Sequence, residues 1–166
     1  MGFKGIYARI AKARSQSLSR MADVLAAEGL RIAKDAESTS ETQKRSGNQS
    51  DAFGYAVYLD GKEMRRGYAN AAPTSSGPHK GWEKHGIPAD TGRGYLNTFL
   101  DTYAAPKSGF HLVVVNAAYY TRILEEGAQG RPKRKLSAKY RIISQITDDM
   151  DRLASKYGGT MTGINM

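Results

Sequence analysis

The side chains of this chain that could do chemistry begin with three histidines and sixteen acidic residues. His79 and His85 lie six positions apart in a segment rich in glycine and proline. A helical metal pair needs ligands at i and i+4, and finger-type zinc sites need cysteines, which this chain lacks. Both histidines therefore read as surface residues. His111 alternates within a strand-like run and is expected on that strand's less buried face. Glu125 and Glu126 could act as general acid and base, but no histidine, nucleophile or further carboxylate stands at a defined spacing from them. Asp148, Asp149 and Asp151 share a helix that turns Met150 and Leu153 inward, so the acids are expected on its solvated side. Thr91-Gly92-Arg93-Gly94 precedes a helix, as phosphate-cradling turns do. It lacks the preceding apolar strand and the P-loop lysine, and reads as a helix start with a small flexible turn. No catalytic, metal or cofactor site follows from these residues, and the expectation is a protein that is not an enzyme.

The elements that carry them centre on Phe110 to Gly127, FHLVVVNAAYYTRILEEG. Phe110, Leu112 and Val114 would face one side of a strand, and His111, Val113 and Val115 the other. After Asn116-Ala117 the period changes. Tyr120, Ile123, Leu124 and Gly127 fall at spacings of three and four, which predicts a short helix. The strand is expected at the centre of a small sheet.

Upstream, Leu18, Met21, Ala22, Leu25, Gly29, Ile32, Ala33 and Ala36 form a helical stripe that Ser15 or Ser17 could cap. Gly29 costs about 1 kcal/mol inside a helix, which makes sense only if another backbone packs close to it. Phe3, Ile6, Tyr7 and Ile10 keep a similar spacing. Either the helix starts near Phe3, or a basic arm over residues 1–14 precedes it. Residues 38–51 read as a polar loop. Phe53, Tyr55, Val57 and Leu59 then alternate up to Asp60-Gly61, a type I′ hairpin signal. The return strand carries Lys62, Arg65 and Arg66, as edge strands do.

A long loop over 70–92 holds the only tryptophan, Trp82, which is either an interface anchor or a plug for the chain's own core. A helix from Asp90 or Thr91 to about Ala104 follows, with Tyr95, Leu96, Phe99, Leu100 and Tyr103 on its apolar face. Another runs from Ser137 to Tyr157, closed by Gly158-Gly159, and 158–166 reads as a flexible tail. The fold class is α+β: an antiparallel sheet of about three or four strands with N-terminal, middle and C-terminal helices packed on it. Residues 1–166 read as one domain.

Without cysteine there is neither a disulfide nor a cysteine-bound zinc. No apolar run approaches the roughly 18–20 residues of a membrane span, so no membrane partner is expected. The N-terminus lacks the apolar block of a secretory signal, which predicts synthesis as a soluble cytoplasmic chain. The net charge of +9 is concentrated at two places. Lys4, Arg9, Lys12, Arg14 and Arg20 stand among residues 1–20 without an acid, and Arg131, Lys133, Arg134, Lys135, Lys139 and Arg141 among 131–141 likewise. Such ends can hold phosphate, an acidic protein partner, or only water. One expectation is therefore a nonspecific nucleic-acid-binding module using 1–20 and 131–141.

Three stretches carry a resemblance. The first is Ser46-Gly47-Asn48-Gln49-Ser50-Asp51-Ala52-Phe53-Gly54-Tyr55, reached from an amphipathic helix and leading into a hairpin. The second is Val115-Asn116-Ala117-Ala118-Tyr119-Tyr120-Thr121-Arg122-Ile123-Leu124-Glu125-Glu126-Gly127, a strand running into a turn. The third is Arg131-Pro132 followed by a C-terminal helix. Together they resemble the small tail-completion, or head–tail joining, proteins of tailed bacteriophages. Where that family continues with apolar residues after Arg-Pro, this chain has Lys133-Arg134-Lys135, and its 70–92 loop is longer.

The resemblance implies no catalysis and no cofactor. It implies a virion protein at the head–tail junction, forming a ring of about six or twelve copies through heterologous contacts. Its neighbours would be the portal, an adaptor or stopper, and the tail tube or terminator, with nonspecific DNA contact in the channel. Candidate subunit or partner contacts are Phe3, Ile6, Tyr7, Ile10, Trp82, Arg65, Arg66, Glu125 and Glu126. Arg131, Lys133, Arg134 and Lys135 are candidates for phosphate or an acidic partner.

Overall fold

The run FGYAVYL has no charged side chain, and so apolar a strand is stable only where both faces are covered. The computed structural model, which describes residues 3–39, 47–78, 83, 89–118 and 142–162, places that run at the middle of the fold. Strand β1 (Phe53–Leu59) pairs antiparallel with β2 (Lys62–Tyr68) on one side and β3 (Phe110–Asn116) on the other. The order is β2-β1-β3. The strand expected at the centre, β3, is thus an edge strand among the described residues. Its apolar character on both faces reflects cover from above and below, which says nothing about pairing at its two edges.

Both faces are covered. Phe53, Tyr55 and Val57 pack with Leu112 and Val114 against helices α1 (Phe3–Thr39) and α4 (Ile142–Tyr157). Ala56, Tyr58, Val113 and Val115 pack against Leu96 and Leu100 of α3 (Gly92–Thr102). This α+β arrangement matches the sequence expectation. His111 is a correction, because its face of β3 carries Val113 and Val115 and is the more buried one. The hairpin forms as expected: Asp60 and Gly61 have φ of 51° and 79°, the positive pair a type I′ turn needs. The Gly109 amide donates to Asp60 Oδ1 at 2.8 Å and the Asp60 amide to the Gly109 carbonyl at 3.0 Å, tying the hairpin to the start of β3.

Helix α1 is continuous over 37 residues, about 55 Å at 1.5 Å per residue. It starts at Phe3, one of the two starts the sequence allowed, and Ser15 and Ser17 lie inside it rather than capping it. Ala22, Ala26, Gly29, Ile32, Ala33 and Ala36 form its buried line, whereas Met21 is exposed. Gly29 is needed for side chains, and not for a backbone as expected. A Cβ there would lie 2.8 Å from Leu112 Cδ1 and 2.9 Å from Tyr55 Cγ. Gly29→Ala gains helix propensity of about 1 kcal/mol, but overpacking costs about 1–3 kcal/mol. The expected result is a net loss near 1 kcal/mol, read as a lower urea midpoint; a higher midpoint would refute the packing argument.

Two further corrections concern polar residues. Asn48–Asp51, expected in a loop, form the short helix α2 and are all buried. Asp149 is buried at 6 % exposure rather than solvated, because it follows Ile146 by three positions and precedes Leu153 by four. It accepts hydrogen bonds from Gln145 at 3.0 Å and Arg152 at 3.4 Å. Helix α4 ends as expected at Gly158, whose φ of 67° lets the Gly159 amide reach the Ala154 carbonyl at 2.8 Å. Tyr157, expected on the apolar line, is half exposed. The expected short helix after Asn116-Ala117 and the Ser137 cap lie outside the described residues. Among those residues no helix is long and apolar enough to cross a membrane.

Candidate functional site

Four successive polar residues, Asn48, Gln49, Ser50 and Asp51, are buried, and burying them requires hydrogen-bond partners. The Asp51 carboxylate accepts from the Thr74 amide at 2.8 and 2.9 Å, the Thr74 hydroxyl at 2.9 Å and the Ser75 amide at 2.7 Å. Asn48 Oδ1 accepts from the Gly92 amide at 2.7 Å, while its Nδ2 donates to the Gly77 carbonyl at 3.0 Å. Asn116 Nδ2 donates to the Gln49 carbonyl at 3.3 Å, and its Oδ1 accepts from the Ala118 amide. Helix α2 thereby ties together the 74–77 loop, the start of α3 and the end of β3.

Burial pushes the Asp51 carboxyl up, but the hydrogen bonds from Thr74 and Ser75 outweigh it and hold the group below the usual carboxylate range. A carboxylate occupied by three donor groups is poorly placed to take a proton from a substrate. The chemistry of this hub is structural.

The TGRG turn follows the same logic. Thr91 caps α3 by accepting from the Gly94 amide at 3.0 Å, as the sequence suggested. The turn is packed rather than flexible. A Cβ on Gly92 would overlap the Asn48 carbonyl, and one on Gly94 would overlap the Asp90 carboxylate. Arg93 lies 4.2 Å over the Tyr68 ring and donates to the Asn70 carbonyl at 2.6 Å.

A second candidate is the first part of α1. Every residue from 4 to 17 is exposed, including Lys4, Arg9, Lys12 and Arg14. Ile6, Tyr7 and Ile10 expose 49, 70 and 59 % of their surface. Further along, Met21 and Val24 are also exposed. Large apolar side chains held in water on a helix carry an unrealised burial gain.

The third is a cavity of about 400 Å³ along the outer edge of β3. All seven residues of β3 line it, so it follows the strand's edge rather than one face. Phe99 and Tyr103 close it on the α3 side, and Ile146, Met150, Ala154 and Tyr157 on the α4 side.

Comparison with family models, curated proteins and solved structures returns no match.

Of the residues expected at contacts, Phe3 begins α1, and Ile6, Tyr7 and Ile10 are exposed as a contact role requires. Arg65 and Arg66 are engaged within their own chain. Arg65 pairs with Asp23 at 2.8 Å and donates to Ser19, and Arg66 pairs with Glu63 at 2.6 Å and Asp101 at 2.7 Å. Trp82, Glu125, Glu126, Arg131, Lys133, Arg134 and Lys135 lie outside the described residues, as do His79 and His85. His111 Nε2 sits 2.7 Å from the Ser108 carbonyl. Among the described residues no three histidines or acids gather at metal-binding distance.

Proposed function

We propose that the chain is a structural subunit of the head–tail junction of a tailed bacteriophage, acting by assembly into a ring between portal or adaptor and tail. One observation carries the reading. Two of the three stretches on which the resemblance rests, Gly47 to Tyr55 and Val115 to Ala118, meet at the buried hub through the Asn116–Gln49 bond across 67 positions. The two stretches hold the facing ends of β1 and β3, Phe53 opposite Asn116, so the resemblance falls on one contiguous part of the fold. The projecting first part of α1 adds support, since a ring needs each subunit to offer two different patches.

In this reading no step is catalytic, and the chain is made in the host cytoplasm and ends in the virion. Its neighbours are other copies of itself, the portal or adaptor, and the tail. Imaging and mass analysis of tailed particles made with this chain are expected to find it at one layer of the junction, in about six or twelve copies. Mature particles that contain no copy would sink the proposal.

A further inference from the structure

We infer that the cavity along the outer edge of β3 receives the first part of α1 from a second copy of the chain. This deepens the ring reading and rests on it for closure of the contacts; the pairwise contact itself is argued from this chain alone.

Of the six large apolar side chains exposed among the described residues, five lie on α1: Ile6, Tyr7, Ile10, Met21 and Val24. The sixth, Tyr157, stands at the cavity. One chain thus carries both a convex apolar stripe and a concave apolar cavity.

The first part of the stripe, Ile6 to Ile10, cannot serve its own cavity. Leu25 already borders the cavity, and Ile10 lies fifteen residues earlier on one unbroken helix, about 22 Å away along the axis. Folding back would break α1. In a second copy no such restriction holds.

Charge agrees with this pairing. The first twenty residues hold five bases and no acid. On α4, Asp151 follows the cavity-lining Met150, is exposed and makes no ion pair among the described residues, while the neighbouring bases Arg152 and Lys156 are paired with Asp149 and Glu28. The outer edge of β3 adds main-chain carbonyls that pair with no strand among those residues, acceptors for the Tyr7 hydroxyl or for lysine and arginine. Donor and receiver are different patches, so the contact is heterologous. After the first contact forms, one copy keeps a free cavity and the other a free stripe, so the pair still offers one of each, as a ring requires.

The chain has no cysteine, which permits a direct test. Ile10→Cys and Tyr157→Cys are made in separate chains, one of them lengthened by a tag, then mixed and oxidised. The expected product is the mixed disulfide dimer, at least tenfold more abundant than with Lys62→Cys in place of Tyr157→Cys. The unmodified full chain should run above monomer mass. The double variant Ile6→Asp with Ile10→Asp should need at least tenfold more protein to associate, with an unchanged thermal midpoint because both residues are exposed.

Cross-linking of the Lys62→Cys chain as abundant as that of the Tyr157→Cys chain, or an unchanged mass for the double variant, overturns the proposal. So does a monomeric chain whose α1 instead binds duplex DNA with steep salt dependence. A chain that passes these tests in solution but is missing from phage particles would leave this contact standing and remove the connector reading.

Discussion

Replacing Asp51 by alanine is expected to lower stability by about 3 kcal/mol at neutral pH, with a marked change in the acid range. Asp51 is 1 % exposed, and its carboxylate takes the Thr74 amide, the Thr74 hydroxyl and the Ser75 amide. Alanine leaves those donors facing a small cavity, and hydrogen bonds to a charged acceptor are worth roughly 1.5–3 kcal/mol each. Asp51→Asn should lose less. It keeps one acceptor oxygen, but turns an NH₂ group toward positions where only donors stand.

The pH dependence has a definite sign. Because the folded carboxyl is held below its ordinary value, its contribution is complete above about pH 4, where the unfolded group is ionised as well. It is lost as pH falls through the lower folded value. As far as this group is concerned, urea midpoints of the native chain should therefore hold from pH 7 to about pH 4 and fall as measurements continue to about pH 2. The gap between native chain and Asp51→Ala should stay level down to about pH 4 and narrow below it. A constant gap would mean that Asp51 acts by shape alone, and hydrogen exchange at Thr74 and Ser75 would then report no faster opening in the variant.

What the sequence disclosed follows from how local each signal is. Asp60-Gly61 settles its hairpin within two residues, and the α1 stripe within each turn of helix, so both were legible. The place of β3 at an edge was not, because strand order depends on partners far along the chain. Its alternation was equally compatible with either place. The α2 hub was hidden for the same reason. The donors that make Asn48 and Asp51 tolerable inside lie 23 to 44 positions away, at Thr74, Ser75 and Gly92. Two signs were nonetheless present: a polar quartet abutting the most apolar strand, and two glycines in the first turn of α3, where glycine is a poor helix former. Asp149 shows the opposite error. Its position on the buried side followed from the helical period, but three neighbouring acids suggested a solvated face. Trp82 and the Glu125-Glu126 pair, read as contacts, lie outside the described residues.

Gly92→Ala discriminates most sharply between local and tertiary causes, because the two predict opposite signs. Alanine favours a helix over glycine by about 1 kcal/mol, so propensity alone predicts a more stable chain. Packing predicts the reverse. The added Cβ would fall on the Asn48 carbonyl and within 3.0 Å of the Ala52 nitrogen, both of them main-chain atoms that cannot rotate aside. Moving α3 away would also stretch the 2.7 Å bond from the Gly92 amide to Asn48 Oδ1. The expected net loss is about 3 kcal/mol, at the upper end of overpacking costs. Gly94→Ala is the internal control: the three atoms nearest its Cβ all belong to the Asp90 side chain, which can turn away at the cost of its bond from the Thr91 amide, so about 1 kcal/mol is expected. Equal losses at the two positions would show that backbone freedom, and not the α2–α3 contact, is what glycine supplies. The displacement has a functional reach as well. Phe99 and Tyr103 sit on α3 and its C-cap and border the β3 cavity, so a shifted α3 reshapes the surface offered to a second copy. Gly92→Ala should therefore weaken self-association even at temperatures where the chain remains folded, whereas Gly94→Ala should leave it intact.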